Sequence, residues 1–510
     1  MTKRILILGG GTAGWLTAAY LARTLGAQSP GGLEITLVEA METSTFGVGE
    51  DTFPTIRETL RRIGIDEAAL VREAGATFKQ GSRFAHWRFE PGAGQPDHYL
   101  HSFQATQEPS GPDLLPYWLL GAAGQSEWGQ ADASQKLAAD VGDASKCPDY
   151  VAPLNYAYHF DAAKLAGVLR RAAIGLGVRR VVDVIDEATL TEDGAIAAVR
   201  GRASGVMTAD LYVDCTGFRA LLIGHALKSP YRSCRSVLFC DSALTIQVPY
   251  ERPDAPIASY TISTAQEAGW TWDIGLEDHR GVGHVFSSEH ADTDGAERVL
   301  RDYVGKAGDR LDIRHIKFEA GYREISWRKN CVAIGLSSGF LEPLEATGIV
   351  FAEAAAVMLA TLFPWGGDME TAAQRYNDLM CRRYERALDF IKLHYCVSKR
   401  RDTAFWRDNV EVSTIPDRLL NLLDRRRFQP SGSIGIDPNV DPFAEASWQY
   451  ALHRMGYRTD LRPKAGAYRH FKEARAAFAD IRKQADCARQ NLPTDRESVE
   501  LAQRRAFGGN

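Results

Sequence analysis

The first apolar positions of the chain form an unbroken run, Ile5-Leu6-Ile7-Leu8, with no polar alternation. A strand covered on both faces reads this way. The chain then passes through Gly9-Gly10-Gly11-Thr12-Ala13-Gly14 into Trp15 to Ala22, a helix-forming stretch. A second apolar strand pattern, Leu33 to Val38, ends in Glu39. From Ile56 to Ala74 the apolar residues recur at helical spacing, with Gly64 as a break and a start near Pro54. Thr77 to Trp87 alternates at period two. That pattern predicts one strand with Lys79, Gly81, Arg83, Ala85 and Trp87 sharing a face.

Residues 91–149 lose periodicity, apart from the aromatic islands Tyr99 to Phe103 and Tyr117 to Leu120. An irregular insertion of this length in a compact enzyme reads as a wall or lid near a substrate site. Order returns with a helix capped by Asp161, a strand from Val178 to Ile185 and a strand Leu211 to Asp214. Strands near 236–248 and 256–262 read as antiparallel. Residues 268–274 and 281–288 read as a pair of strands turning at Asp278 to Arg280, which puts Trp270 and Trp272 on one face. A buried strand at Asn330 to Gly335 leads through small residues into an apolar helix, Phe351 to Leu362. A long amphipathic helix follows over 370–400, then two helical patches within 401–465. A closing helix over 465–490 has Tyr468, Phe471, Phe478 and Ile481 as its seam. Residues 491–510 are polar and read as loosely held.

Composition narrows the classes. The chain has 510 residues, 45% hydrophobic and 25% charged, with a net charge of -5. The charge gives no electrostatic case for nucleic acid or for an anionic membrane. No apolar run approaches the ~20 residues that span a bilayer. A core strand beginning by residue 5 leaves no room for a signal peptide. The eight cysteines are scattered without C-x-x-C spacing, which fits reduced thiols in a cytoplasmic protein; Cys234 and Cys240 match no zinc spacing, so no metal is expected.

The chemistry begins at the glycines. Gly9, Gly11 and Gly14 give G-x-G-x-x-G between a strand and a helix. Such a loop makes a tight turn, lets backbone approach a pyrophosphate, and offers the helix N-terminus to it. Glu39 falls where a ribose-binding acid belongs. Taken alone, the loop could be a glycine-rich turn without ligand, Lys79 a surface lysine, the tryptophan pair core packing, and Glu345 a helix-capping carboxylate.

Together, however, several stretches resemble the flavin-dependent halogenases of the tryptophan halogenase type. They are Gly9 to Trp15, Gly47-Val48-Gly49-Glu50, Lys79 in its strand, and Tyr156 to Asp161. Asp214 to Phe218, Trp270-Thr271-Trp272-Asp273-Ile274, Glu342 to Ile349 and Asp389 to Tyr395 complete the set. The W-x-W-x-I element discriminates, since related flavin monooxygenases lack it. The resemblance implies an α/β fold with a Rossmann-like FAD-binding module of the flavin monooxygenase/glutathione-reductase type. That module is discontinuous over 1–90 and 150–400, with an inserted substrate-side sheet at about 230–330. A mainly helical substrate module would occupy 401–510.

The resemblance also implies roles. FADH2 comes from a separate flavin reductase, and with O2 and chloride or bromide it gives hypohalous acid. Lys79 holds or activates that acid, either as a protonated donor or as a neutral amine forming an N-halo adduct. Glu345 lies near Lys79, and Thr347 and Gly348 bind halide. FAD contacts fall on Gly9, Gly11, Thr12, Ala13, Gly14, Glu39, Asp51, Ile185, Leu336 and Ile349. Trp270 and Trp272 wall off a passage, while His101 and Phe103 flank an indole or other electron-rich arene. A homodimer is compatible with this reading. Three departures stand out: Gly275 replaces a proline, Ala346 replaces a serine, and Asp51 stands where alanine commonly follows the glutamate. The alternatives are a hydroxylating FAD-dependent aromatic monooxygenase and a non-catalytic flavin-binding partner protein.

Overall fold

The computed structural model describes residues 2–41, 49–92, 97–104, 113–124, 128, 149–151, 154–432 and 435–505. Gly47 and Val48 of the second glycine loop, Cys147 and most of the 91–149 insertion lie outside the described residues.

In chain order, β1 (Arg4–Leu8) enters α1 (Thr12–Leu25), followed by β2 (Glu34–Glu39), β3 (Glu50–Asp51), α2 (Thr55–Ile63) and α3 (Glu67–Ala74). Then come β4 (Thr77–Lys79), β5 (Gly81–Ala85), β6 (His98–Ser102), α4 (Leu115–Leu119), β7 (Ala157–Phe160), α5 (Ala162–Gly175) and β8 (Arg179–Val182). Next are β9 (Ile185–Leu190), β10 (Ile196–Gly201), β11 (Gly205–Met207), β12 (Leu211–Asp214), β13 (Tyr231–Ser233), β14 (Ser242–Pro249), β15 (Thr261–Ala265), β16 (Gly269–Gly275) and β17 (His279–Phe286). After α6 (Thr293–Val304) come β18 (Arg314–Lys317), β19 (Gly321–Arg323), β20 (Trp327–Arg328), β21 (Cys331–Ala333) and β22 (Gly339–Phe340). The chain ends in helices α7 (Thr347–Thr361), α8 (Met369–Cys396), α9 (Ala404–Asp408), α10 (Asp417–Arg426), α11 (Glu445–Arg454), α12 (Phe471–Asn491) and α13 (Asp495–Arg505).

The central sheet runs β20-β21-β12-β1-β2-β8, with β1 parallel to β2 and β12. Its inner strands β1 and β12 are buried on both faces: Ile5 and Ile7 pack with Trp15 and Ala18 of α1 in one cluster, and Leu6 and Leu8 pack with Ile185, Ile196 and Leu222 in another, as the continuous apolar run at Ile5 requires. A seven-stranded sheet, β18-β14-β17-β16-β15-β5-β6, stands beside it. A small third sheet, β3-β7-β4, joins the two regions. One continuous core reaches from Ile5 through Trp270 and Phe390 to Val499.

The hairpin of β16 and β17 and the Asp161 cap are as the pattern predicts; Asp161 accepts from the backbone N–H of Ala163 and of Lys164. The strands β14 and β15 do run antiparallel, as read from the sequence, with β17 and β16 between them. Three expectations are corrected. The single strand over 77–87 breaks at Gln80: its N–H donates to Ser259 O at 2.7 Å and its carbonyl accepts from Phe103 N at 2.9 Å. So β4 and β5 belong to different sheets, and Lys79 does not share a face with Arg83. The strand over 178–185 ends at Val182, and Ile185 opens another. Finally, 495–505 is not loose: α13 packs on α3 and β4, where Asp495 Oδ1 accepts from Phe78 N at 3.1 Å. Among the described residues one helical segment, Leu344–Thr361, is long and apolar enough to cross a membrane. It is 78% buried inside the protein, as a core helix is.

Candidate active site

A cavity of about 990 Å³ opens at the C-terminal ends of β1, β2 and β12, where ligands of open α/β sheets bind. The glycine loop forms its floor. Gly9 has φ +111°, and a Cβ there would lie 2.1 Å from Cys215 O. A Cβ on Gly14 would lie 1.9 Å from Gly9 O, so Gly14 serves helix–strand packing and does not face the cavity. A Cβ on Gly11 would meet nothing within 4 Å, and this glycine caps α1 without a side chain. The first turn of α1 contains no acidic residue. Its unpaired N–H groups therefore face a space that favours an anion.

Gly9, Gly11, Thr12, Ala13, Glu39, Asp51, Ile185, Leu336 and Ile349 all line this cavity. Glu39 is held by Trp15 Nε1 at 3.0 Å and Arg180 Nε at 2.6 Å, which orient its carboxylate at the rim. Farther in, the N-terminus of α7 presents Thr347 and Gly348. No side chain caps that helix and no acid occupies its first turn. Immediately before it, Glu345 (φ 61°) and Ala346 (φ 54°) both adopt the left-handed conformation. Non-glycine residues are strained there by about 1 kcal/mol each. The two left-handed residues turn the chain sharply just ahead of α7.

Glu345 is buried, and His101 Nδ1 lies 2.7 Å and His394 Nε2 3.2 Å from its Oε1. Burial alone would raise its pKa, but the two imidazoles outweigh that and hold the carboxyl well below its ordinary range. His394 Nδ1 contacts Phe390 O at 3.0 Å, which places a proton on that nitrogen. Its Nε2 is then a donor to Glu345 only in the imidazolium form. Glu342 is different: burial pushes it up to about 7 although Tyr395 donates to it at 2.7 Å.

Lys79 is fully buried. Its Nζ lies 2.8 Å from Asp51 Oδ2, 5.7 Å from the ring centre of Phe53 and 5.2 Å from that of Phe103. Among the described residues no ion pair joins Lys79 to Glu345. Asp51, Thr261 and Glu345 line the cavity; Lys79, His101 and Phe103 stand behind that wall. An aromatic group continues on the far side: Phe53 meets Phe103 and Phe443, each at 5.5 Å, and Phe390 meets Phe443 at 4.0 Å and Trp448 at 4.9 Å. Trp270 and Trp272 form part of the cavity wall, 6.3 Å apart. A Cβ at Gly283 would come 2.1 Å from Trp272, so glycine in β17 makes room for that indole. Sequence pattern assigns no role to the partner residues His394 and Thr261. His394 sits in the Asp389 to Tyr395 stretch, and its helical spacing from Phe390 is the signal that could have found it.

The sequence profile of the tryptophan halogenase family matches residues 4–469. This chain belongs to the tryptophan halogenase family. The tryptophan 6-halogenase of Streptomyces toxytricini is 34% identical, with 97% of each chain covered. The crystal structure of a tryptophan halogenase from Shewanella frigidimarina superposes with a TM-score of 0.92 at 38% identity, covering 99% of this chain and 98% of that one. A flavin-dependent halogenase from Brevundimonas, BrvH, gives a TM-score of 0.85 at 32% identity, covering 98% of this chain and 99% of that one. The α/β fold is therefore that of the tryptophan halogenases, and the enzyme is a halogenase. Neither the hydroxylase nor the non-catalytic alternative stands.

Proposed function

We propose that this halogenase is a cytoplasmic, two-component enzyme that chlorinates or brominates an indole or another electron-rich arene. The 990 Å³ cavity seats FAD, delivered reduced by a separate flavin reductase, with segments 1–90 and 150–400 forming the seat and 401–510 the substrate side. With O2 and a halide, reduced FAD supplies hypohalous acid there. The glycine loop and the start of α1 hold the pyrophosphate, and Glu39 holds the ribose. The amides of Thr347 and Gly348 hold the halide. Trp270 and Trp272 keep the organic substrate out of the flavin cavity, while Phe103 and His101 face its ring.

The observation that carries the reading is the position of Lys79. It is buried behind the cavity wall, between Asp51 on the flavin side and the Phe53 and Phe103 rings on the other. An amine at that boundary can meet an oxidant made on one side and direct it to an arene on the other, where open water would give no positional control. Glu345, kept ionised by His101 and His394, accepts the ring proton after the halogen adds.

The test is Lys79→Ala with reduced FAD, bromide or chloride, O2 and indole. Expected are unchanged FAD binding and a loss of halogenated indole of about 100-fold or more. Wild-type product levels in the variant would refute the role. Tryptophan, the substrate named for several relatives, and indole assayed in competition identify the preferred arene class.

A further inference from the structure

In the structure Lys79 has one carboxylate within ion-pair distance among the described residues, and it is Asp51. The small sheet creates this pair. Its middle strand β7 sets His159 opposite Asp51 of β3 and opposite Thr77 of β4, with Lys79 paired to Ala157. Asp51 and Lys79 thus project from the two flanking strands, within reach of one another across β7. Asp51 Oδ2 accepts from Lys79 Nζ at 2.8 Å and from Thr261 Oγ1 at 2.6 Å, and His159 Nε2 lies 3.0 Å from Thr261 Oγ1. The lysine side chain is 0% exposed and that of Asp51 14%. Burial, reinforced by Lys79, lowers His159 to about 3, so it stands in the network as a neutral ring.

From this geometry we infer that Asp51 is a positioning residue that fixes Lys79 as an ammonium, so that Lys79 works by donating a hydrogen bond to the oxidant and not through an N-halo adduct. The inference rests on the role proposed above for Lys79. A buried ammonium without a counter-charge sheds its proton. A carboxylate at 2.8 Å opposes that loss. An N-halo adduct needs the nitrogen lone pair, which the ammonium lacks. In the remaining step, Lys79 N–H⁺ bonds to the oxygen of hypohalous acid. The O–X bond breaks as the C–X bond forms, and the oxygen takes the lysine's proton and leaves as water. The ring proton passes to Glu345 and from there to solvent, and solvent returns a proton to Lys79, so that hypohalous acid and arene give haloarene and water with both side chains restored. Because Thr261 holds the same carboxylate oxygen, Asp51 cannot rotate away without breaking two bonds.

Four variants and one wild-type measurement test this. Asp51→Asn keeps the size and an acceptor oxygen but removes the charge; Asp51→Glu keeps the charge. In single turnovers with pre-reduced FAD, Asp51→Asn should give at least tenfold less halogenated indole per flavin oxidised. Its KM for indole should stay within threefold of wild type, and free hypohalous acid caught by a thioether scavenger should rise. Asp51→Glu should recover part of the yield. Asp51→Asn within threefold of wild type overturns the inference. Should Asp51→Asn not fold, selective ¹⁵Nζ-lysine labelling of the wild type decides. A resonance assigned by its loss in Lys79→Arg and lying in the ammonium range at assay pH supports the inference; one in the amine range overturns it. Full activity of Lys79→Ala would instead sink the underlying role of Lys79. Inactive Lys79→Ala beside fully active Asp51→Asn sinks this inference alone.

Discussion

Asp495 offers a sharp test of how the C-terminal helix supports β4, the strand that carries Lys79. It opens α13, is wholly buried, and uses Oδ1 to accept the Phe78 N–H at 3.1 Å, while Oδ2 has no partner. Burial, against the opposing pull of the Phe78 N–H and Arg496, pushes its carboxyl from the ordinary 3.8 up to about 8. A carboxyl raised in this way binds a proton when docked that it has lost when released. Docking of α13 onto β4 therefore weakens as pH rises from about 4 to about 8, and does not change with pH below that window. The rise corresponds to about 6 kcal/mol at ~1.4 kcal/mol per pH unit. Water admitted as the helix loosens reduces the realised penalty to about 2–4 kcal/mol.

Asp495→Asn removes the ionisation and keeps the acceptor. At pH 5 the variant and the wild type each bury one neutral polar group and should dock alike. At pH 9 the variant should dock more tightly. Amide exchange followed by mass spectrometry, corrected for intrinsic rates, reads this directly. Peptides covering Phe78 and 495–505 should exchange about 30-fold or more slowly in the variant at pH 9, and equally at pH 5. Since Phe78 precedes Lys79, halogenation by the variant should also persist to higher pH. Equal pH trends in the two proteins, or wild-type protection that grows with pH, would refute the reasoning.

Two further outcomes follow from the geometry. Glu345→Gln should retain FAD binding and lose about 100-fold or more in halogenation rate, measured in single turnovers, because the amide cannot take the ring proton. Gly14→Ala, whose Cβ would meet Gly9 O at 1.9 Å, should lower FAD affinity at least tenfold by flavin fluorescence titration, with Gly9→Ala behaving alike.

The parts of this protein that were legible in its sequence are those set by local rules. Continuous apolar strands, glycine spacing and the cap at Asp161 are fixed by near neighbours, and they stand where pattern puts them. The cavity lining followed, since a loop after a strand and a helix start after a small-residue loop define it from short stretches. What pattern missed depends on distant segments. Period-two alternation runs unbroken from Thr77 to Trp87, and nothing local marks Gln80 as the break; Ser259 and Phe103 make it one by taking its backbone groups. In the same way α13 looks like polar tail because its buried contacts, Asp495 among them, are made to β4 and α3, hundreds of residues earlier. The partners of Lys79 and Glu345 were out of reach for that reason too.

The break at Gln80 also explains why a lysine can sit where this one does. Had the strand continued, Lys79 would lie mid-sheet with its neighbours fixed by one set of partners. Instead β4 pairs with β7 and so joins Asp51, while one residue later β5 pairs with β6, which carries His101, and leads toward Phe103. Gly81 permits that second pairing, because a Cβ there would lie 2.2 Å from His101 O. The corner thus passes the chain from the small sheet, which reaches the cavity through Asp51, to the large sheet, which lines the cavity through Ser82, Thr261 and Trp272 and carries His101 on its edge strand β6. Lys79 is the last residue before the handover. A substitution at Gly81 should therefore act on Lys79 without touching it: Gly81→Ala forces β5 from β6 and turns the corner. Its FAD affinity should remain that of the wild type, because no residue of the glycine loop moves, while coupling of flavin oxidation to halogenated indole falls at least tenfold. Lost FAD binding together with lost coupling would show instead that the corner supports the whole cavity and that the handover has no separate role.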